Sequence, residues 1–225
     1  MALDLLIFDF DGVISNSEHL SNLSLVETLS ELGLDLTLDE VDERFTGMGS
    51  QQMVASLQEH DGLVVPDDFQ DRNWAVVQRL MRAQLEPVPH AREMLAALPA
   101  DLPKCIASNS FKEWIDFALE IMDLEHFFDP SVRFNADMVP RGKPAPDLHY
   151  LVLREMGGID PARALVIEDT NTGLGGAVAA GIEVWGCTSV TPHPEKRAKD
   201  LLAAGATKII TDLRDLPRMI GDFPR

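Results

Sequence analysis

No lysine precedes Lys104, and 19 basic residues face 37 acidic ones, for a formal charge of −18. No basic stripe is present to displace phosphate counterions, which argues against nucleic acid as a partner. No apolar run is long enough to cross a membrane. The opening MALDLLIFDF is apolar but short, and Asp4 and Asp9 interrupt it. It carries no basic n-region, so no signal peptide is expected. Cysteine is almost absent. Cys105 and Cys187 both lie in apolar strand-like runs. Two buried thiols in a cytoplasmic protein are expected rather than a disulfide. Internal repeats and low-complexity tracts are missing too. What remains is ordinary for a globular chain: 225 residues, 45% hydrophobic and 25% charged. That suffices for one or two domains with a sizeable core. Most of the acidity reads as a solubilising surface. An enzyme for anionic substrates in such a field still needs a local cation, and a bound divalent metal supplies one.

Residues 3–9, LDLLIFD, read as a buried strand of a parallel sheet covered on both faces. Short apolar runs recur at 104–107, 164–167, 182–185 and 208–210. Helical stretches at 111–122, 145–156, 171–180 and 194–204 separate the later ones. This alternation predicts a doubly wound α/β, Rossmann-like core. Residues 17–85 break the rhythm with four helix-like segments and no convincing strand. Gly33 stops the first of them, and Pro87 and Pro89 mark the return to the α/β part. The expected organisation is a core of 1–16 and 86–225, with a helical domain of 17–85 inserted after the first strand.

Four constellations carry chemistry. Asp9-Phe10-Asp11-Gly12 ends the first strand, where ligands of open α/β sheets bind. Two carboxylates there can act as nucleophile and as proton donor, or can merely cap a loop. Ser108-Asn109 ends the second apolar run. A hydroxyl followed by a helix start can hold a phosphate oxygen, although such a serine is also an ordinary N-cap. Lys143 is pinned between Gly142 and Pro144, where it can neutralise a carboxylate and a phosphoryl group together. Asp147 supports the helix that follows or orients the loop. Glu168-Asp169 ends a further strand and can complete a hard oxygen site beside Asp9, with Asp169 also suited to cap the next helix.

The order and spacing of these motifs resemble those of the haloacid dehalogenase superfamily along essentially the whole chain. IFDFDGV, SNS, GKPAPD and VIEDTNTGLGGAVAAGI resemble its phosphatases and β-phosphoglucomutase-like members. The resemblance implies a four-helix cap where 17–85 lies. It implies that Asp9 attacks phosphorus and becomes an aspartyl-phosphate, while Asp11 protonates the leaving oxygen and then deprotonates water. Mg²⁺ is implied at Asp9, Asp169 and the backbone carbonyl of Asp11, with Glu168 assisting. Ser108, Asn109 and Lys143 are implied to bind the phosphoryl oxygens. In the cap, His19, Arg44, Gly47, Ser50 and Gln51 are candidates for substrate binding, each with a plain surface reading beside it.

Departures separate the relatives. Dehalogenases lack the carboxylate present here as Asp11. Phosphonate hydrolases need a cap lysine, and 17–85 contains none. β-Phosphoglucomutases carry a cap histidine and basic cap-turn residues, where this chain has Ser21, Thr46 and Ser50. The expected activity is therefore hydrolysis of a small phosphate monoester, a sugar or sugar-acid phosphate. A sugar phosphate mutase is the alternative, and a non-catalytic receiver-like domain the weaker one.

Overall fold

The computed structural model describes residues 3–45 and 50–223. Their internal contacts divide the chain into two compact units, one through Asn16 and from Glu86 onward, the other Ser17–Leu85.

The first unit is built on one parallel sheet. Its strands are β1 (Leu5–Phe8), β2 (Lys104–Ser108), β3 (Arg133–Asn135), β4 (Ala164–Glu168), β5 (Glu183–Cys187) and β6 (Lys208–Ile210). The spatial order is β3-β2-β1-β4-β5-β6. Ile7 pairs with Cys105 on one side and Val166 on the other. The chain thus begins in the middle, works outward to β3, then crosses back to β4. That reversal places the topological switch point at the carboxyl ends of the central strands. All four residues of β1 are fully buried, as its unbroken apolar run requires. Alternation sends Leu5 and Ile7 into one core with Leu148, Val152, Leu174 and Leu201. Phe8, on the opposite phase, meets Phe128 edge-on at 6.2 Å between ring centres. Cys105 and Cys187 are free, buried thiols, and burial pushes the pKa of both up.

The later helices follow the sequence pattern: α6 (Lys112–Ile121), α7 (Asp147–Glu155), α8 (Asn171–Ala179) and α9 (Pro194–Ala204). Several short elements escaped the sequence reading, a helix and a strand among them. Helix α5 (Ala91–Ala97) is one short segment behind the prolines, and β3 has only three residues. Neither is long enough for a period to declare itself. What secures β3 is tertiary. The Arg133 guanidinium donates to Asp116 at 2.7 Å and to the Phe128 carbonyl, while Phe134 and Asn135 are buried.

Among the described residues the second unit holds four helices: α1 (Glu18–Glu31), α2 (Leu38–Phe45), α3 (Ser50–His60) and α4 (Phe69–Gln84). Leu25, Leu29, Val41, Phe45, Leu57 and Phe69 form its own core. Thr37 and Glu40 make a capping box at the start of α2. The Thr37 N–H donates to Glu40 Oε2 at 2.8 Å, and the Glu40 N–H donates back to Thr37 Oγ1 at 3.3 Å. No helix among the described residues is long and apolar enough to cross a membrane.

Candidate active site

Three strands deliver polar side chains to the same edge of the sheet. Asp9 follows β1, Ser108 ends β2, and Glu168 ends β4. The Asp9 N–H donates to the Ile167 carbonyl at 2.9 Å, so the ladder fixes its backbone one residue past the strand. The chain then turns, with the Gly12 N–H donating to the Ser15 carbonyl at 2.8 Å. Gly12 has φ +81°, and a Cβ there would lie 2.0 Å from Asp169 Oδ2. The turn therefore demands glycine twice, for its conformation and for its contact with Asp169.

Lys143 reaches into this edge from the loop before α7. Its ammonium donates to Asp9 Oδ1 at 2.7 Å and to Glu168 Oε2 at 2.8 Å, and its side chain is 3% exposed. Asn109 holds the lysine's backbone. Its Oδ1 accepts from the Lys143 N–H at 2.8 Å and its Nδ2 donates to the Lys143 carbonyl at 2.9 Å. The Asn109 amide thus braces the loop that carries Lys143. Asp147, the first residue of α7, accepts two hydrogen bonds from Arg141 and ties down the far end of that loop.

Glu168 is fully buried and spends both oxygens. Besides Lys143, it accepts from the Asp169 and Thr170 N–H groups and from the Thr170 hydroxyl at 2.8 Å. A Cβ on Gly173 would lie 1.8 Å from Glu168 Oε2, so the first turn of α8 carries a glycine that leaves room for this carboxylate. The N-cap of α8 is Thr170, whose hydroxyl accepts from the Gly173 N–H at 3.0 Å. Of the two roles open to Asp169, capping therefore falls to Thr170, and the Asp169 carboxylate stands beside Asp9 and Glu168. One oxygen from each of these three residues lies within 4.8 Å of the others.

Charge is unbalanced here. Burial, and after it the Glu168 charge, pushes Asp9 up to about 7 against the pull of Lys143. Burial opposes the Lys143 ammonium, but Asp9 and Glu168 outweigh it and hold its pKa above the usual lysine value. One ammonium does not neutralise this group of carboxylates. Hard oxygens with excess negative charge fit a divalent cation, and Gly12 and Gly173 keep clear the space in which those carboxylates stand.

The Asp11 carboxylate has hydrogen-bond donors of its own. Its Oδ2 accepts from the Ser110 hydroxyl at 2.5 Å and its Oδ1 from the Trp114 indole N–H at 2.9 Å. Ser108 is buried, and its hydroxyl oxygen accepts from the Ser110 N–H at 3.0 Å. Ser110 and Trp114 were not legible as site residues. Trp114 occupies an apolar position of α6 with Ile115, Ala118 and Leu119, so it reads as core.

The remaining candidates belong to the helical unit. His19 is exposed on α1. Arg44 is not a freely solvated residue. Asp61 accepts from both of its terminal nitrogens, and its guanidinium lies 4.8 Å from the Phe45 ring centre. Gly47, with Thr46, lies outside the described residues, as do the side chains of Ser50 and Gln51, whose backbone opens α3.

A family model described as haloacid dehalogenase-like hydrolase matches residues 6–187. The chain belongs to that family. This hydrolase is 26% identical to the 6-phosphogluconate phosphatase of Escherichia coli strain K12 over 184 residues, 81% of either chain. It is 28% identical to the phosphorylated carbohydrates phosphatase of Thermotoga maritima over 215 residues, 92% of this chain and 94% of that one. Among solved structures it is similar to a family hydrolase from Deinococcus radiodurans R1 with bound phosphate and sodium. That similarity has a TM-score of 0.77 and 32% identity, covering 98% of this chain and 96% of the other. Its family and these relatives make the chain an enzyme, a phosphoric monoester hydrolase.

Proposed function

We propose that this hydrolase cleaves small sugar or sugar-acid phosphate monoesters through a phosphorylated Asp9. The observation that carries the reading is the Lys143 ammonium, shared at 2.7 and 2.8 Å between Asp9 and Glu168 at the carboxyl edge of the sheet. The relatives named for 6-phosphogluconate and phosphorylated carbohydrates support the substrate class, and the phosphate bound in the Deinococcus radiodurans protein supports a phosphate site.

In the first step, Asp9 attacks phosphorus, and the bond to the leaving oxygen breaks. Asp11 gives its proton to that oxygen. In the second step, Asp11 takes a proton from water, which attacks the same phosphorus and releases phosphate and free Asp9. Lys143 offsets the repulsion between a carboxylate and a phosphate dianion. Ser108 offers its hydroxyl, and Asn109 holds the loop that presents Lys143. Asp9, Asp169 and the Asp11 carbonyl are the groups to hold Mg²⁺, with Glu168 bracing them. Bound there, Mg²⁺ supplies charge stabilisation to the transferring phosphoryl group. Residues 17–85 serve as a cap that selects the substrate, with His19, Arg44, Gly47, Ser50 and Gln51 as candidate contacts. A reducing, cytoplasmic setting fits the two free thiols.

The test is phosphate release across a panel of metabolite phosphates, with Mg²⁺ and with a chelator, for wild type and Asp9→Asn. Metal-dependent release from a few sugar phosphates, lost in Asp9→Asn and needing no sugar bisphosphate, supports the reading. Undiminished release by Asp9→Asn refutes it. Turnover that appears only after priming by a bisphosphate replaces it with a mutase.

A further inference from the structure

The geometry points to Ser110 and Trp114 as positioning residues for the acid and base of the reaction, Asp11. This rests on the proposed role of Asp11. A carboxyl on a turn can swing about two side-chain torsions, and proton transfer needs it at one place. Here both oxygens are held, and by different elements. Ser110, in the loop between β2 and α6, donates its hydroxyl to Oδ2 at 2.5 Å. Trp114, in the first turn of α6, donates its indole N–H to Oδ1 at 2.9 Å. Two donors on two oxygens fix the plane of the carboxyl group as well as its position.

The anchors are themselves fixed. Trp114 is 7% exposed, and its ring meets Phe111 edge-on at 6.1 Å. The Ser110 N–H donates to Ser108 Oγ at 3.0 Å. One short segment, 108–114, therefore carries a proposed phosphoryl-binding hydroxyl and both anchors of Asp11. A rigid link between the two keeps the proton donor in register with the phosphoryl group it serves.

The test separates protonation of the leaving group from everything else. An alkyl ester needs a proton on its departing oxygen, and a nitrophenolate leaves without one. The rate of Asp9 phosphorylation is measured by rapid quench with 6-phosphogluconate and with 4-nitrophenyl phosphate. Trp114→Phe and Ser110→Ala each should slow the alkyl ester about tenfold and the nitrophenyl ester by less than about twofold. Ser110→Thr, which keeps the hydroxyl, should restore the alkyl rate. Asp11→Asn is the reference and should lose at least about a hundredfold on the alkyl ester alone. If Asp11→Asn shows no such selectivity, Asp11 is not the acid, and the positioning role falls with it. If Asp11→Asn shows it and the anchor variants slow both esters equally or neither, only the positioning role is overturned. Should Trp114→Phe fail to fold, the Ser110→Ala and Ser110→Thr pair decides alone.

Discussion

Asn109 closes its side-chain amide on the backbone of Lys143, accepting from its N–H at 2.8 Å and donating to its carbonyl at 2.9 Å. The contact spans 34 residues of sequence and joins the loop after β2 to the loop before α7. A lysine side chain has four rotatable carbons, and holding its backbone limits where the ammonium can reach. Asn109→Ala removes both bonds and should destabilise the protein by about 1–3 kcal/mol. It should also lower kcat/KM by about tenfold or more through a displaced Lys143. Asn109→Asp keeps the acceptor but sets a second oxygen against the Lys143 carbonyl, so it should not rescue activity. Urea unfolding with steady-state kinetics checks this. Full activity in Asn109→Ala would show that the loop holds Lys143 without help.

Gly12 and Gly173 make a second pair of expectations. A Cβ on either would overlap a carboxylate, of Asp169 and Glu168 respectively. Gly12→Ala also meets a positive φ, which costs on the order of 1 kcal/mol or more by itself. Both variants should bind Mg²⁺ at least about tenfold more weakly, because each displaces one of the three converging carboxylates. Calorimetric titration of the metal into chelator-treated protein measures this without turnover. Unchanged affinity in both variants would remove Glu168 and Asp169 from the metal site.

Asp9→Asn should behave differently from an ordinary active-site loss. Burial and Glu168 hold the pKa of Asp9 near 7, against 3.8 for a free carboxyl. Between these values the folded chain keeps a proton that the unfolded chain has lost. The stability this proton lends is therefore complete below about pH 4 and is lost as pH rises through about 7. Lys143 is charged in both states throughout that window and adds no slope. In metal-free protein, Asp9→Asn should thus melt higher than wild type at about pH 8, and the gap should shrink toward about pH 5. Activity should be absent at every pH. A melting temperature below that of wild type at about pH 8 would mean that the Asp9–Lys143 pair outweighs the excess carboxylate charge.

The sequence reading succeeded where residues obey a period or a strict local rule. The run Leu5–Phe8 must be buried on both faces, and the strand-end positions of Asp9, Ser108 and Glu168 follow from where the apolar runs stop. It failed where the cause is tertiary. Three-residue β3 exists because Arg133 is anchored from α6 and from the Phe128 carbonyl. Nothing local to Asn109 reveals that its amide closes on the backbone of Lys143, distant in sequence. Trp114 sits at a core position of an amphipathic helix, and only the folded chain turns its N–H toward Asp11.

His149 supplies a prediction from the core itself. It lies on α7, is fully buried, and has no hydrogen-bond partner on either ring nitrogen among the described residues. Its neighbours include Gly176 of α8, at which a Cβ would stand 3.3 Å from the ring. Burial, reinforced by the charge of Lys143, pushes its pKa down to about 3 from 6.5. Below about pH 6.5 the unfolded chain therefore takes a proton that the folded chain refuses. Stability is complete above that pH and is lost at about 1.4 kcal/mol per unit as pH falls toward 3. This slope opposes the one from Asp9, so wild type alone does not isolate it. His149→Phe keeps a ring of similar size and removes both unpaired nitrogens. It should be more stable than wild type at about pH 8, and the difference should widen by about 2 kcal/mol at about pH 5. Urea unfolding of both proteins at the two pH values measures the difference directly. Parallel curves would mean that the folded protein accepts the proton on His149, by opening a path for water or by moving α7 against α8.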